Sequence, residues 1–282
     1  MIRKILIILM LSTLFIACTN NKVENTKDEV AVISFINVRK ADAIIIQVDD
    51  KNYLIDTGTK ETFPLLRVAI DVLKIKEFSG VFLTHGDKDH IGGFSDLSKQ
   101  MKVEHLYIGK IGDIHNTGVK EIAREKEIAI TELSFGDESK LSKNLSFWVL
   151  APEVYDESDD NNNSLVIMFN ICDKRVLLTG DMCIEETDQL LANDFSLKAD
   201  ILKVPHHGRE ECNSQKFINK VNPDFAVICT NTIEQSNTAH SDVIKRLGAS
   251  SIFITEDYKY GISLVIRKNR DIEVIEIIVN EK

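Results

Sequence analysis

At five places in this chain a polar cluster rich in aspartate, histidine and glycine appears abruptly, in four of them straight after a short apolar run. Tyr53-Leu-Ile runs into Asp56-Thr57-Gly58, and Gly80-Val-Phe-Leu83 into Thr84-His85-Gly86-Asp87-Lys88-Asp89-His90-Ile91-Gly92-Gly93. Val176-Leu-Leu-Thr-Gly180 delivers Asp181, and Ile201-Leu-Lys-Val-Pro delivers His206-His207-Gly208. A weaker fifth place is Asn237-Thr-Ala-His240, just ahead of a helical pattern. Apolar runs this short are the signature of buried strands, so the pattern calls for a sheet that presents polar side chains at its carboxyl edge. Only His105 and His115, of seven histidines, fall outside these places. Core packing alone does not cluster histidine in this way.

The densest cluster packs four potential metal ligands, His85, Asp87, Asp89 and His90, into six residues. Imidazole and carboxylate together suit zinc, manganese or iron, and two ligand pairs this close can serve two ions. The plain alternative is a solvated polar turn. Asp56-Thr-Gly reads equally well as a solvent-facing turn. His105 and His115 read as surface or packing residues, and Trp148 as core. Lys203 either is an exposed strand residue or faces the substrate.

Between these places the periodicity alternates. Val30–Val38, Ala43–Val48 and Tyr53–Asp56 read as strands, and Glu61–Lys74 has helical apolar spacing. A helix is expected from Ile91 to Met101, then a strand at His105–Ile108, a helix at Val119–Lys126 and a strand at Ile128–Leu133. Strands at Leu145–Leu150, Leu165–Ile171 and Arg175–Thr179 fill the middle. Strand and helix then alternate to the end, with a last strand at Ile272–Val279. Both halves carry strand-rich and strand–helix segments with no linker between them. This predicts a four-layer α/β sandwich, two packed sheets with helices on the outer faces.

Two further features bear on where the chain works. Arg3 and Lys4 precede an apolar run from Ile5 to Ala17, which is shorter than the ~20 residues a membrane span needs. Residues 1–17 therefore read as a signal peptide. Phe15-Ile16-Ala17-Cys18 resembles the lipobox of bacterial lipoproteins, with Phe15 where leucine is usual; an ordinary secretory signal or an uncleaved anchor is the alternative. On the lipoprotein reading Cys18 is lipidated and holds the protein on a membrane outside the cytoplasm. Residues 18–29 are a polar tether, and 30–282 the folded domain. The formal charge of −10, or −12 without Arg3 and Lys4, removes the global basic footprint of a tight nucleic-acid binder. The remaining cysteines, Cys172, Cys183, Cys212 and Cys229, show no spacing that implies a disulfide framework; Cys172 and Cys229, inside apolar runs, read as buried thiols, with an oxidised pair outside the cytoplasm as the alternative.

Taken in order, Leu54-Ile-Asp56-Thr-Gly58, Thr84 to Gly93, Asn162-Asn-Ser-Leu165, Leu178-Thr-Gly-Asp181 and Lys203-Val-Pro-His-His-Gly208 resemble the metallo-β-lactamase-fold hydrolases, in the branch found in the soluble domain of ComEC-type competence proteins. The resemblance runs from about Val30 to Arg267. It implies the αββα sandwich and two divalent ions, zinc or manganese. It implies that His85 and Asp87 bind the first ion, Asp89 and His90 the second, and that Asp181 bridges them. His206 or His207 completes the set, and Asp56 orients the ligand loop. Asp87 stands where the wider family has histidine, and the family's central histidine is missing, with Asn161-Asn-Asn-Ser164 in its region.

The resemblance further implies a hydrolase that cleaves a phosphodiester, of nucleic acid (single-stranded included) or of the cell envelope, with a metal-activated water. Asp89 or a histidine relays the proton to the leaving oxygen, and His240 has a substrate or metal role. Lactonase and β-lactamase chemistry rank lower. The alternative is a non-catalytic metal- or substrate-binding surface lipoprotein on a decayed hydrolase scaffold.

Overall fold

The computed structural model describes residues 29–279. The signal peptide, Cys18 and nearly all of the tether lie outside the described residues, and Glu29, assigned above to the tether, already opens the first strand. The first half of the chain supplies β1 (Glu29–Ile36), β2 (Ile44–Val48), β3 (Lys51–Ile55), β4 (Glu77–Phe78), β5 (Gly80–Leu83), β6 (Lys102–Val103), β7 (His105–Gly109) and β8 (Ala129–Leu133). The second supplies β9 (Glu138–Lys140), β10 (Leu145–Ala151), β11 (Val166–Ile171), β12 (Lys174–Leu178), β13 (Ile201–Lys203), β14 (Phe225–Ile228), β15 (Ser251–Ile254), β16 (Gly261–Arg267) and β17 (Ile272–Glu276). Helices α1 (Phe63–Val72), α2 (Lys88–Ile91), α3 (Phe94–Gln100) and α4 (Val119–Glu125) belong to the first half. Helices α5 (Ile184–Ala192), α6 (Gln215–Val221) and α7 (Ser241–Leu247) belong to the second.

One sheet has the order β17-β16-β1-β2-β3-β5-β7-β8, the other β15-β14-β13-β12-β11-β10-β9, and β4 pairs with β6 apart from both. Each sheet changes from antiparallel to parallel pairing partway across: after β3 in the first, after β12 in the second. Side chains alternate between faces along a strand, and that alternation builds three apolar layers. Phe82 and Tyr53 point between the sheets, onto Phe147, Phe169 and Ile201. Val81, Leu83 and Leu54 point the other way, onto Leu66 and Ile70 of α1 and Leu97 of α3. In the second sheet Val176 and Leu178 face inward, while Leu177 and Leu202 pack on Leu190, Phe217 and Val243 of the outer helices. Strands apolar on both faces are what a sheet covered on both sides requires. This is the four-layer αββα sandwich expected from the sequence.

The helix expected to begin at Ile91 is instead two, because α2 already starts at Lys88 and the chain breaks at Gly92-Gly93. A Cβ on Gly93 would stand 2.4 Å from the carbonyl oxygen of Thr57. The bare backbone there lets the loop of Asp56 lie directly on the ligand loop. The short strands β4, β6 and β9 carry too few residues to show a period.

Candidate metal centre

Four loops at the carboxyl ends of β3, β5, β12 and β13 converge. A fifth, between β1 and β2, closes on them from the side through Asp42, whose backbone N–H donates to Asp89 O at 3.2 Å while its carbonyl accepts from Gly58 N at 2.8 Å. Asp56 is buried beneath the ligand loop rather than solvent-facing. Its Oδ1 accepts from Thr84 N at 2.8 Å, and its Oδ2 accepts from Thr84 Oγ1 at 2.8 Å and from His90 Nδ1 at 2.7 Å. A carboxylate so placed fixes the ring's tautomer and leaves Nε2 as the free nitrogen. The same is done for His207 by the Cys229 carbonyl, which accepts from Nδ1 at 2.7 Å.

Pro205 ends β13, and the chain then turns through His206 and His207, both with positive φ (45° and 54°). Left-handed backbone costs a non-glycine residue roughly 1–2 kcal/mol, and here it brings both rings to the same side. His207 Nε2 lies 3.1 Å from Asp181 Oδ2 and 3.5 Å from Asp89 Oδ2; His206 Nε2 lies 3.7 Å from Asp181 Oδ2. Asp181 follows Gly180, which has φ of 51° and whose added Cβ would meet Ser164 at 2.9 Å. The peptide N–H of Asp181 donates to Ser164 Oγ at 3.0 Å, which aims the carboxylate at His90 Nε2, 3.3 Å away.

Asp89, His90, Asp181 and His207 thus bring one donor atom each within 4.8 Å of one another. Among the described residues, the buried Nε2 atoms of His85, His90 and His207 have no hydrogen-bond partner. Buried imidazole nitrogens are normally satisfied. Three left open beside carboxylates fit a divalent cation that prefers nitrogen and oxygen donors.

The charges agree. Asp42, Asp56, Asp89 and Asp181 face one another with Lys203 and Lys40 as the ammonium groups among them. Burial alone would raise the Asp181 carboxyl, but His207, His90 and Lys203 outweigh it and hold it well below the carboxylate range. Burial likewise opposes charge on His90 and His207, yet Asp181 and its neighbours push His90 up and His207 up to about 9. Burial wins at His206, which is held down to about 4. Negative charge strong enough to keep protons on two buried imidazoles is equally strong at drawing a cation.

The other end of the ligand loop differs. His85 is buried, its Nδ1 3.1 Å from Thr84 Oγ1 and 3.3 Å from Ser164 Oγ. Its Nε2 is 3.7 Å from Asp87 Oδ2, whose side chain is 51% exposed, against 14% for Asp89. Ser164 occupies the side where the resemblance implies a histidine. His240 caps α7: its Nδ1 accepts from Asp242 N at 3.3 Å, and its backbone N–H donates to Gly208 O at 3.0 Å. That sets it beside the His207–Gly208 turn with its side chain partly exposed. His105 stacks on Tyr107 and pairs with Thr131, away from the cluster.

The sequence reading passed over Asp42 and Lys40 and left Lys203 undecided. Lys203 is buried, its ammonium 2.5 Å from Asp42 Oδ2 and 3.3 Å from Asp181 Oδ1, and it donates to Gly180 O at 2.7 Å. The available signal was a lone carboxylate between two alanines, Ala41-Asp42-Ala43, next to a strand. Cys183 and Cys212 form a disulfide, while Cys172 and Cys229 are free.

These features define a chain of the metallo-beta-lactamase superfamily: the family model matches residues 36–232, and the chain belongs to that family. A 224-residue stretch is 34% identical to ComE operon protein 3 of Bacillus subtilis, covering 78% of this chain and 28% of that protein. The chain spans about a quarter of the length of the curated relatives it matches. The fold is similar to that of Zn(2+)-bound PqqB from Methylobacterium extorquens, with a TM-score of 0.57, 13% identity and coverage of 83% of this chain and 99% of the other. It is also similar to a diphosphatase from the PhnP family, with a TM-score of 0.52, 14% identity and coverage of 83% and 97%. No helix among the described residues is long and apolar enough to cross a membrane.

Proposed function

We propose that this chain is a divalent-metal-dependent hydrolase of phosphodiesters, acting at the bacterial cell envelope from a lipid anchor on Cys18. The observation that carries the reading is the buried cluster of Asp89, His90, Asp181 and His207, with open imidazole nitrogens turned into it. In this reading these four residues hold one ion tightly, as zinc or manganese. His85 and Asp87 hold a second more loosely, with Asp181 between. A divalent ion in such a site acidifies water and polarises a phosphoryl oxygen.

The protein's own groups have separate tasks. Asp56 and the Cys229 carbonyl keep the His90 and His207 rings oriented, and Lys203 holds Asp181 and Asp42 in place without competing for the imidazoles. Asp89 is kept ionised by His207, His90 and Lys40 against its burial, so it carries no proton to give a leaving oxygen and is left as a ligand. His240 accepts a hydrogen bond at Nδ1, which leaves the ring N–H on Nε2 when neutral. That partly exposed N–H beside the His207 turn is placed to donate a hydrogen bond to a substrate oxygen.

Support for phosphate chemistry comes from the diphosphatase among the similar folds. Fold likeness alone does not fix a substrate. The missing third donor beside His85 and Asp87 favours a second reading, a metal- or substrate-binding lipoprotein without turnover. Hydrolysis of bis-p-nitrophenyl phosphate and single-stranded DNA by the full-length chain, with Zn²⁺ or Mn²⁺, separates the two. Turnover that Asp181→Ala abolishes is expected. Metal binding without turnover on either substrate, or turnover confined to nitrocefin or lactones, contradicts the phosphodiesterase reading.

A further inference from the structure

The disulfide sits against the metal centre, not in a remote part of the fold. Cys183 comes two residues after Asp181, and Cys212 closes the loop that leaves His206 and His207. Their bond therefore ties the Asp181 loop to the histidine loop. The ring of His206 stands between the two features: its Nδ1 is 3.5 Å from Cys212 Sγ, and its Nε2 is 3.7 Å from Asp181 Oδ2. Cys183, Cys212 and His206 are all buried, and their donor atoms lie within 4.8 Å of one another. Two thiolates and one imidazole, with a fourth position left to solvent or substrate, make a donor set that zinc accepts readily.

We propose that reduction of the Cys183–Cys212 disulfide creates a further metal site, distinct from the main cluster and from the His85–Asp87 position, in which the two thiolates and His206 Nδ1 bind a zinc-class ion. The reductant is a dithiol: the sulfur–sulfur bond breaks, each cysteine sulfur gains a proton, and the dithiol gives up two electrons and two protons and leaves as its own disulfide. Binding the ion then displaces the thiol protons. His206 is the shared wall. Oxidised, the sulfurs have no ligand role; reduced, they compete with the Asp181 side for the same ring.

Cobalt tests this without reference to activity, because thiolate ligands give Co²⁺ an intense near-ultraviolet charge-transfer band and the nitrogen and oxygen donors of the main cluster do not. The full-length chain is reduced with dithiothreitol, desalted anaerobically and titrated with Co²⁺. The band is expected in the reduced chain and absent in the oxidised one. It is expected to vanish in Cys183→Ser/Cys212→Ser, which keeps Cys18, Cys172 and Cys229. His206→Ala leaves the disulfide intact and serves as the second variant. It should weaken the reduced-chain band's cobalt affinity by at least about tenfold, the loss that removing even a ligand's hydrogen-bond partner brings. Cobalt uptake by the reduced chain with no such band, a band that persists in the double serine variant, or loss of the near-ultraviolet circular dichroism on reduction would each overturn the proposal.

Discussion

The two ends of the ligand loop are only a few residues apart and have different surroundings. At the Asp89–His90 end every donor is backed by another group: His90 by Asp56, His207 by the Cys229 carbonyl, Asp181 by Lys203 and Ser164. At the His85–Asp87 end the histidine is buried but its carboxylate neighbour is half in water, and a serine stands where a third donor would complete the set. The difference follows from what each end packs against. The first end faces four other loops of the two sheets. The second faces the Asn161–Asn163 turn, which reaches it through Asp160, whose Oδ2 accepts from Gly86 N at 3.0 Å. On the proposed reading such a site would be unequal by construction, with one tight position and one open to exchange or to a substrate oxygen.

Breaking the backing of the tight end should have the largest effect. Lys203→Met leaves Asp42 and Asp181 buried without their ammonium, and removing one partner of a buried ion pair costs about 3–5 kcal/mol. Urea unfolding of the metal-free variant measures it, and a loss below about 1 kcal/mol would mean the carboxylates find other compensation. Next comes the disulfide. Closing a loop of 29 residues' separation stabilises by about 3–4 kcal/mol in the chain-entropy treatment, so Cys183→Ala/Cys212→Ala should lower the free energy of urea unfolding by a comparable amount.

A smaller effect is the pH dependence of the metal-free chain. His207 is raised to about 9 in the fold, above its unfolded value near 6.5. Its contribution is complete below about pH 6.5 and is lost as pH rises through about 9. His206 is lowered to about 4, so its contribution is complete above about pH 6.5 and is lost as pH falls toward 4. Thermal melts without metal should therefore decline on both sides of about pH 6.5, by a few degrees. Saturating metal should remove the alkaline decline if His207 is a ligand, since a ring ligated through Nε2 has no proton on that nitrogen to lose. Persistence of that decline with metal bound would take His207 out of the ligand set. The smallest effect belongs to the open end: Asp87→Asn should change stability by no more than about 0.5 kcal/mol, as for other exposed positions.

Much of this comparison was legible in the sequence and some was not, for definable reasons. The strands and their order were readable because Val81-Phe82-Leu83 and Val176-Leu177-Leu178 are apolar on both faces and end at ligand residues. His206 and His207 were recognisable as a turn because Pro205 and Gly208 flank them. Asp42, Lys40 and the role of Lys203 were not, because their partners come from different strands and meet only once β1, β2 and β13 are in place. The disulfide was hidden in the same way. Parallel pairing of β12 with β13 brings together the loops that carry Cys183 and Cys212, and no local spacing encodes that. The split in the helix after the ligand loop depends on the contact between Gly93 and Thr57, which is equally non-local.

The inequality of the two ends is tested most directly by counting bound ions. The full-length chain, His207→Ala and His85→Ala are each stripped of metal, and Zn²⁺ binding is followed by isothermal titration calorimetry. The parent should show one tight ion and a second, weaker one. His207→Ala should lose the tight ion, while His85→Ala should keep it and lose only the weaker. Two ions of equal affinity in the parent, or equal loss of the tight ion in both variants, would contradict the unequal site.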